Sequence, residues 1–273
     1  MPRAASSLVL ASTLTTLLVG CGNTDRMLAE ASVESALQTS RSTAITKVVV
    51  DDPRREQGDT GCLDPVAAAA EAAARPSAGL YPEGCATKTA EGATVHAELD
   101  DCTGPFGRVH LDGGIDAELS TTSCEQLHAE LFDSGDLTAN EAPLEYSATA
   151  EITASETQRF VDWSGRVALT TKRGQEVEQT SDLAVVGDVA DDCLSIEGTA
   201  AGHVDSVEYD VNLEGLRVCP GACPERGTVG VHAEGRRREA SISIEFDGSS
   251  TARVTGTDGD VFTVEMVCND DEA

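Results

Sequence analysis

Three identical tripeptides place a histidine and a glutamate two residues apart, a spacing that puts both side chains on one face of a β-strand. They are His96-Ala97-Glu98, His128-Ala129-Glu130 and His232-Ala233-Glu234. Imidazole nitrogens and carboxylate oxygens both bind divalent metals, so neighbouring strands of this kind would form a metal site. The residue before each histidine is apolar (Val95, Leu127, Val231), which places the histidines on the solvent face. Exposed surface residues are therefore the favoured interpretation, and a metal site is the alternative.

A calcium site is a second hypothesis, and it rests on clustered side-chain oxygens. Asp133, Asp136 and Asn140 form one cluster, and Asp258 with Asp260 forms another. Neither follows the Asp-rich twelve-residue loop of an EF-hand. Polar turns explain both clusters more simply.

Catalytic motifs are missing from the sequence. Carboxylate pairs such as Asp100-Asp101 and Asp191-Asp192 are common in so acidic a chain, and a general acid and base need one raised and one normal pKa in a single cleft. There is no Gly-Xaa-Ser-Xaa-Gly elbow, no His-Glu-Xaa-Xaa-His and no phosphate-binding glycine loop. We therefore predict no catalytic residue and no cofactor, with a hydrolase as the alternative.

The first 21 residues have the pattern of an export signal that ends in a cysteine. Arg3 gives a short positive segment, and residues 8–19 are largely apolar but too short to span a bilayer as a helix of about 20 residues. The stretch ends in Leu18-Val19-Gly20-Cys21, which resembles the lipobox of bacterial lipoproteins. The resemblance implies that the Cys21 thiolate accepts a diacylglycerol group and that Cys21 becomes the first residue of the mature chain.

The residue after Cys21 indicates in which membrane the protein is localised. In lipoproteins of double-membraned bacteria an Asp at this position commonly retains the protein at the inner membrane. Gly22 stands there instead, which resembles the outer-membrane class. We therefore expect a lipid-anchored protein of the bacterial cell envelope, at the periplasmic face or the surface of the outer membrane. Its expected partner is the membrane itself, reached through acyl chains such as palmitate.

The remaining cysteines predict a set of disulfide bonds. Besides Cys21 the chain has eight cysteines: Cys62, Cys85, Cys102, Cys124, Cys193, Cys219, Cys223 and Cys268. An even number of cysteines in an exported domain indicates that all of them pair, which gives four disulfide bonds. Four lie in each half of the mature domain, so we expect pairing mainly within halves, with Cys268 reaching Cys219 or Cys223. A metal or redox site at Cys219-Pro-Gly-Ala-Cys223 is the alternative, although a thioredoxin-like pair has two intervening residues rather than three.

Periodicity predicts which elements position these residues. Residues 24–39 have roughly helical spacing of apolar residues, and Asp64-Pro65 followed by an Ala-rich run to Ala74 predicts a second short helix. From about Gly84 to Cys268 the chain consists of alternating segments, such as Val204 to Leu213, Ser241 to Phe246 and Val261 to Cys268. Hairpin turns are predicted between such segments at Glu91-Gly92, Gly113-Gly114, Arg173-Gly174, Asp247-Gly248 and Asp258-Gly259.

These patterns predict an all-β fold of ten to fourteen strands. The strands would form an antiparallel meander curled into a barrel-like or sandwich shape, with one or two short N-terminal helices. Residues 1–20 are the expected signal peptide, residues 21–60 a tether with a short helix, and residues 61–273 the disulfide-bonded β domain. The segment DDCTGPFGRVHLDGGI (100–115) resembles uncharacterised, β-rich bacterial envelope lipoproteins, a resemblance that implies no activity.

Composition narrows the possible partners. The chain of 273 residues has 48 acidic and 19 basic residues and a formal charge of -29, which argues against binding to nucleic acid. With 3% aromatic residues, its core must consist of Val, Leu, Ile and Ala. The sequence thus predicts a lipid-anchored envelope protein with a non-enzymatic binding or structural role. The alternatives are a binding module dependent on calcium or another divalent cation, and an envelope hydrolase.

Overall fold

The computed structural model describes residues 62–74, 80–82, 84–103, 107, 109–155, 157–172, 174–188, 193–205, 207–219, 222–235, 238–266 and 268. These residues form one helix, α1 (Pro65–Ala74), and fourteen strands. The strands are β1 (Ala86–Glu91), β2 (Thr94–Thr103), β3 (His110–Ser123), β4 (Gln126–Asp133), β5 (Thr138–Ala139), β6 (Ala142–Ala154), β7 (Gln158–Thr170), β8 (Glu176–Asp188), β9 (Leu194–Val204), β10 (Val207–Val218), β11 (Arg226–Gly235), β12 (Arg238–Phe246), β13 (Thr251–Thr255) and β14 (Val261–Glu265).

Helix α1 begins where the Asp-Pro pair predicts. The Asp64 carboxylate accepts a hydrogen bond from the Val66 backbone N–H at 2.9 Å, and proline stands at the first helical position, where no N–H is required. One face of the helix is buried, at Ala68, Ala69 and Ala72, and it packs on β1, β2 and β3. The second predicted helix is confirmed, whereas the one predicted at 24–39 lies outside the described residues.

The strands form one antiparallel meander. Consecutive strands are hydrogen-bonded from β1 to β14, and only the two-residue β5 lies off this path. Strand β5 pairs with β3 and β6, which both also pair with β4, so these four strands form a ring of hydrogen bonds. The all-β class and the meander are therefore confirmed.

One face of the sheet is buried, and the other, the wet face, is exposed to solvent. In β6 every second residue from Ala142 to Ile152 is buried, which follows from the period of two in a strand. The inward residues of strands throughout the path belong to a single apolar core that also contains the buried face of α1. As the composition predicts, that core consists mainly of Val, Leu, Ile and Ala, with Trp163 as its single indole.

The turn predicted at Gly113-Gly114 is wrong, because both glycines lie inside the long strand β3. Strand β3 changes partner there, pairing with β5 before the glycines and with β4 after them. Gly113 has a φ of +103°, and a Cβ at this position would lie 2.5 Å from the carbonyl oxygen of Asp136. The glycines therefore permit a bend and a close backbone approach within the strand, which sequence cannot distinguish from a hairpin turn.

Most other turn and strand predictions are confirmed. The structure has hairpin connections at Gly92, Gly174, Gly248 and Gly259, although Arg173 lies outside the described residues. Ile242, Ile244 and Phe246 are buried, as are Met266 and Cys268. In the segment 204–213 alternation predicts one shared face for Val207, Tyr209, Val211 and Leu213, and the last three are buried. Val207 is 39% exposed, because the segment begins with the turn between β9 and β10 and Val207 starts the new strand.

Four disulfide bonds connect the eight cysteines other than Cys21. They are Cys62–Cys124, Cys85–Cys102, Cys193–Cys219 and Cys223–Cys268. Pairing is confined to each half of the domain, and Cys268 reaches Cys223, both of which agree with the sequence prediction. Because Cys219 and Cys223 bond to other cysteines, they do not form a redox pair with each other.

Contacts near the two ends of the path hold the sheet around its core. Tyr81, which precedes β1, donates a hydrogen bond at 2.9 Å to the carbonyl oxygen of Ala222, between β10 and β11. Cys268, which follows β14, is bonded to Cys223 in the same connection. Among the described residues no helix is long and apolar enough to cross a membrane.

Candidate functional site

His96 lies on the wet face of β2 between two carboxylates. Its Nδ1 is 2.8 Å from Asp116 Oδ1 on the neighbouring strand β3, and its Nε2 is 3.4 Å from Glu98 Oε2 on its own strand. The hydrogen bond to Asp116 is the main cause that raises the pKa of His96 above its ordinary value of 6.5, while partial burial opposes the rise. The pattern that predicts a shared strand face for His96 and Glu98 is confirmed.

A serine and a further carboxylate lie close to His96. A Cβ at Gly114 would be 2.3 Å from Ser134 Oγ and 2.9 Å from His96 Cε1, so the glycine gives both side chains room. Asp136 Oδ1 accepts hydrogen bonds from the Ser134 hydroxyl at 2.7 Å and from the Gly114 N–H at 3.0 Å. The bond from Ser134 is the main cause that lowers the pKa of Asp136.

This arrangement does not activate a nucleophile. A serine nucleophile must give its proton to a neighbouring base, yet the Ser134 hydroxyl donates to Asp136. Both ring nitrogens of His96 face carboxylates, which favours the doubly protonated imidazolium over a free base. The geometry therefore suits a charged cross-strand contact rather than hydrolysis.

His128 repeats the arrangement of His96 on β4. Its Nδ1 is 2.7 Å from Glu151 Oε1 on β6, and its Nε2 is 3.6 Å from Glu130 Oε1 on its own strand. Thus each of these two histidines has one carboxylate on the next strand and one two residues along its own strand. His232 on β11 differs, because its nearest recorded carboxylate is Glu239 of β12, at 3.7 Å from Nε2.

The three His-Ala-Glu segments do not meet. His96 faces Asp116, and His128 faces Ser120, on the intervening strand β3. Their backbones are thus two strand spacings and four residues apart, about 10 Å across the sheet and about 13 Å along it. His232 lies six strands beyond β4 along the path. One metal ion needs all its ligand atoms within about 4 Å of one another, so these six residues do not form a common metal site.

The described residues contain one compact group of metal-ligand types, and it is not a metal site. Cys193, Cys219 and Glu225 bring their ligand atoms together, but the two sulfurs are bonded to each other. Glu225 accepts a hydrogen bond from Arg217 Nε at 3.1 Å. A disulfide offers no thiolate to a metal, so the group is a disulfide beside an ion pair.

In the first cluster proposed for calcium, the side-chain oxygens accept backbone hydrogen bonds. Asp133 accepts from the N–H groups of Gly135 and Tyr146, both at 3.1 Å. Asn140 Oδ1 accepts from the His110 N–H at 3.0 Å. The second cluster, Asp258 and Asp260, belongs to the hairpin between β13 and β14. Asp133 and Asn140 thus connect neighbouring backbone segments through their side chains.

The core contains a polar group of three residues that the sequence patterns do not predict. Tyr209 donates a hydrogen bond to Gln179 Oε1, and Gln179 Nε2 donates to Ser181 Oγ, both at 3.1 Å. Gln179 and Ser181 are 1% and 2% exposed. The signal was present in β8, because both residues keep the period of two that joins the buried residues Val177 and Leu183. The ring of Tyr209 lies against Gly202, where a Cβ would be 2.7 Å from the hydroxyl.

The expected lipid-attachment residue, Cys21, lies outside the described residues, together with the predicted signal peptide and tether. The eight other cysteines are all bonded to one another, so none of them is available to Cys21. Comparison of the chain with models of protein families, with curated proteins and with solved structures gives no match.

Proposed function

We propose that the chain is a lipid-anchored lipoprotein of the bacterial cell envelope, with a non-enzymatic binding or structural role for its β domain. The observation that carries the proposal is the lipobox Leu18-Val19-Gly20-Cys21. The disulfide pattern supports it, because eight of the nine cysteines pair among themselves and leave Cys21 with no cysteine partner in the chain. A cysteine outside the disulfide set is what acylation of Cys21 requires.

The geometry of the wet face supports the non-enzymatic part of the proposal. Among the described residues, Ser134 lies beside His96 as a nucleophile would beside its base, but the serine donates to Asp136 while His96 is held between carboxylates. The solvated outer face of an antiparallel sheet leaves many polar side chains accessible to a partner. The proposed address is the outer membrane, because Gly22 rather than Asp follows Cys21.

Labelling with a radioactive fatty acid tests the anchor. The wild-type chain, expressed in a double-membraned bacterium, should incorporate palmitate and fractionate with membranes. The variant Cys21→Ala should lose the label and accumulate as the uncleaved precursor. The matched control Cys62→Ala removes a cysteine of the disulfide set and should keep the label. A labelled, membrane-bound Cys21→Ala variant would falsify the proposal.

The outer-membrane address has its own test. The variant Gly22→Asp should move the labelled protein from outer-membrane to inner-membrane fractions, whereas Gly22→Ser should leave it in place. Equal distribution of the two variants would refute the address without affecting the anchor.

A further inference from the structure

Among the described residues, strand β14 is the last strand of the sheet and pairs with β13 alone. On β1 the edge residue Lys88 points its side chain inward, with a buried Nζ, a common guard of edge strands. Strand β12 extends beyond β13, and there the Thr257 hydroxyl accepts from the Ser241 N–H and donates to its carbonyl. Within the described part of the chain, no inward-pointing charge and no side-chain hydrogen bond of this kind covers β14, and Val261 is 52% exposed.

The hydrogen-bond pattern identifies the open backbone groups. Just beyond β14, the Met266 N–H donates to the carbonyl oxygen of Ser250 at 2.8 Å. Bonded pairs alternate along an antiparallel ladder, so the even-numbered residues of β14 bond to β13. The odd-numbered residues, Val261, Thr263 and Glu265, direct their N–H and C=O groups away from β13. In the described residues these groups meet no further strand.

We propose that β14 pairs antiparallel with β14 of a second copy of this chain, about a two-fold axis at Thr263. In this register Thr263 faces the partner's Thr263, and Val261 faces the partner's Glu265. All three facing pairs are of the hydrogen-bonded type, so the contact forms six backbone hydrogen bonds. No like charges face each other across the new ladder.

The inward side chains also match in this register. Phe262 and Val264 are half-buried and pack on the edge of the core. Between the bonded pairs, Phe262 of one copy faces Val264 of the other, at the shorter Cα separation of about 4.5 Å. An aromatic residue opposite a β-branched residue is a favourable cross-strand pair. The contact thus covers apolar side chains that the single sheet leaves half-exposed.

Charge sets the conditions under which the pairing is observed. Each copy carries a net charge of -29, so two copies repel each other at low ionic strength. The Debye length falls from about 30 Å at 0.01 M salt to about 8 Å at 0.15 M. The contact itself is backbone and apolar, so added salt should strengthen the association.

Cysteine cross-linking of the full-length chain tests the register. Two Thr263→Cys residues would face each other at about 5.5 Å between Cα atoms, within the range of a disulfide. This variant should form a covalent dimer under mild oxidation. The control Val261→Cys should not, because the two positions are offset by four residues, about 13 Å. Mixing Val261→Cys with Glu265→Cys should restore the cross-link.

The wild-type chain, oxidised in the same way, measures the background of dimers that are cross-linked through Cys21. Dimers of Thr263→Cys above that background, with none from Val261→Cys, support the proposal. Equal dimer formation by both single variants would indicate random collision and overturn the register. Absence of dimers from Thr263→Cys would overturn the pairing itself.

Sedimentation of the full-length chain in detergent provides the second measurement. The wild type should associate reversibly and more tightly at higher salt. Thr263→Lys places two ammonium groups opposite each other and should weaken the association at least about tenfold. Thr263→Val should retain it, and Thr149→Lys, on the wet face of β6, should leave it unchanged. Unaltered far-ultraviolet circular dichroism checks folding, and equal association of Thr263→Lys and wild type would refute the proposal.

Discussion

At the scale of single residues, protonation of His96 is coupled to stability. The bond to Asp116 raises the folded-state pKa of His96 above 6.5, so this histidine holds its proton more tightly when the chain is folded. Its contribution is fully present below the unfolded pKa and is lost as pH rises through the folded pKa. The side chain is 43% exposed, so solvent screening keeps this contribution below about 1 kcal/mol.

We therefore expect His96→Gln to lower the free energy of unfolding more at about pH 5 than at about pH 8. Urea unfolding of the wild type and of His96→Gln at the two pH values measures this difference in the free energy of unfolding. The His96 ring protons should titrate above 6.5 in an NMR experiment, and in the variant Asp116→Asn that titration should move down. A larger loss in His96→Gln at alkaline pH would contradict the assignment.

Gly165, next to the core indole of Trp163, leaves space that a side chain of its own would take from the aromatic ring. A Cβ at Gly165 would lie 2.3 Å from Trp163 Cζ2, and Trp163 is 2% exposed. The variant Gly165→Ala should therefore displace the indole and lower the free energy of unfolding by about 1–3 kcal/mol. Denaturant unfolding measures this loss, and tryptophan fluorescence reports the movement of the ring.

Gly230 provides a matched control on β11. Its nearest atom is the Asn212 carbonyl oxygen, at 4.0 Å from an added Cβ. Gly230→Ala should leave stability unchanged or raise it slightly, because alanine restricts the unfolded chain. If both variants lost stability equally, the cause would be a general effect on strands rather than the indole contact.

At the scale of elements, the Cys223–Cys268 bond fixes the last strand. It spans 45 residues, whereas Cys85–Cys102 spans 17. Loop-closure entropy predicts that replacing both cysteines with alanine lowers the free energy of unfolding by about 4 kcal/mol for the first pair and about 3 kcal/mol for the second. Amide exchange should accelerate in β13 and β14 only when Cys223 and Cys268 are replaced. Equal exchange in both variants would contradict this assignment.

The sequence predicts an element correctly where a single local rule, such as strand alternation or helix capping, determines the structure. Alternation gives Ile242, Ile244 and Phe246 an inward position because one face must be buried, and Asp64-Pro65 starts α1 because it supplies a cap and needs no N–H. Gly113-Gly114 shows where sequence fails. A bend inside β3 and a hairpin turn both require glycine, and only the pairing of β3 with β4 and β5 distinguishes them.

The sequence predicts only those contacts of the candidate site that lie within one strand. The face shared by His96 and Glu98 follows from spacing within a strand. The partners Asp116 and Glu151 depend on register between strands, which spacing along one strand does not contain. Sequence therefore identifies the residues of the wet face, and the register decides which of them meet.

At the scale of the whole molecule, the chain has a net charge of -29, and no acidic residue among those described is buried. One row crosses three strands, where Glu234 on β11 faces Glu208 on β10 and Glu239 on β12. Like charges directly opposite each other destabilise a sheet. The described row thus holds like charges at neighbouring positions, and folding must bring them together against their repulsion.

Removing the central charge should therefore stabilise the fold. Glu234→Gln should raise the free energy of unfolding by about 0.5 kcal/mol, because it relieves repulsion toward both Glu208 and Glu239. The gain should shrink in high salt, where the charges are screened. Glu178→Gln is the matched control, because Glu178 accepts a hydrogen bond from Arg166 Nε at 2.9 Å, which lowers its pKa. Glu178→Gln loses the attraction to Arg166, so it should not stabilise the fold. If both variants were stabilised, total charge rather than the row of Glu208, Glu234 and Glu239 would determine stability.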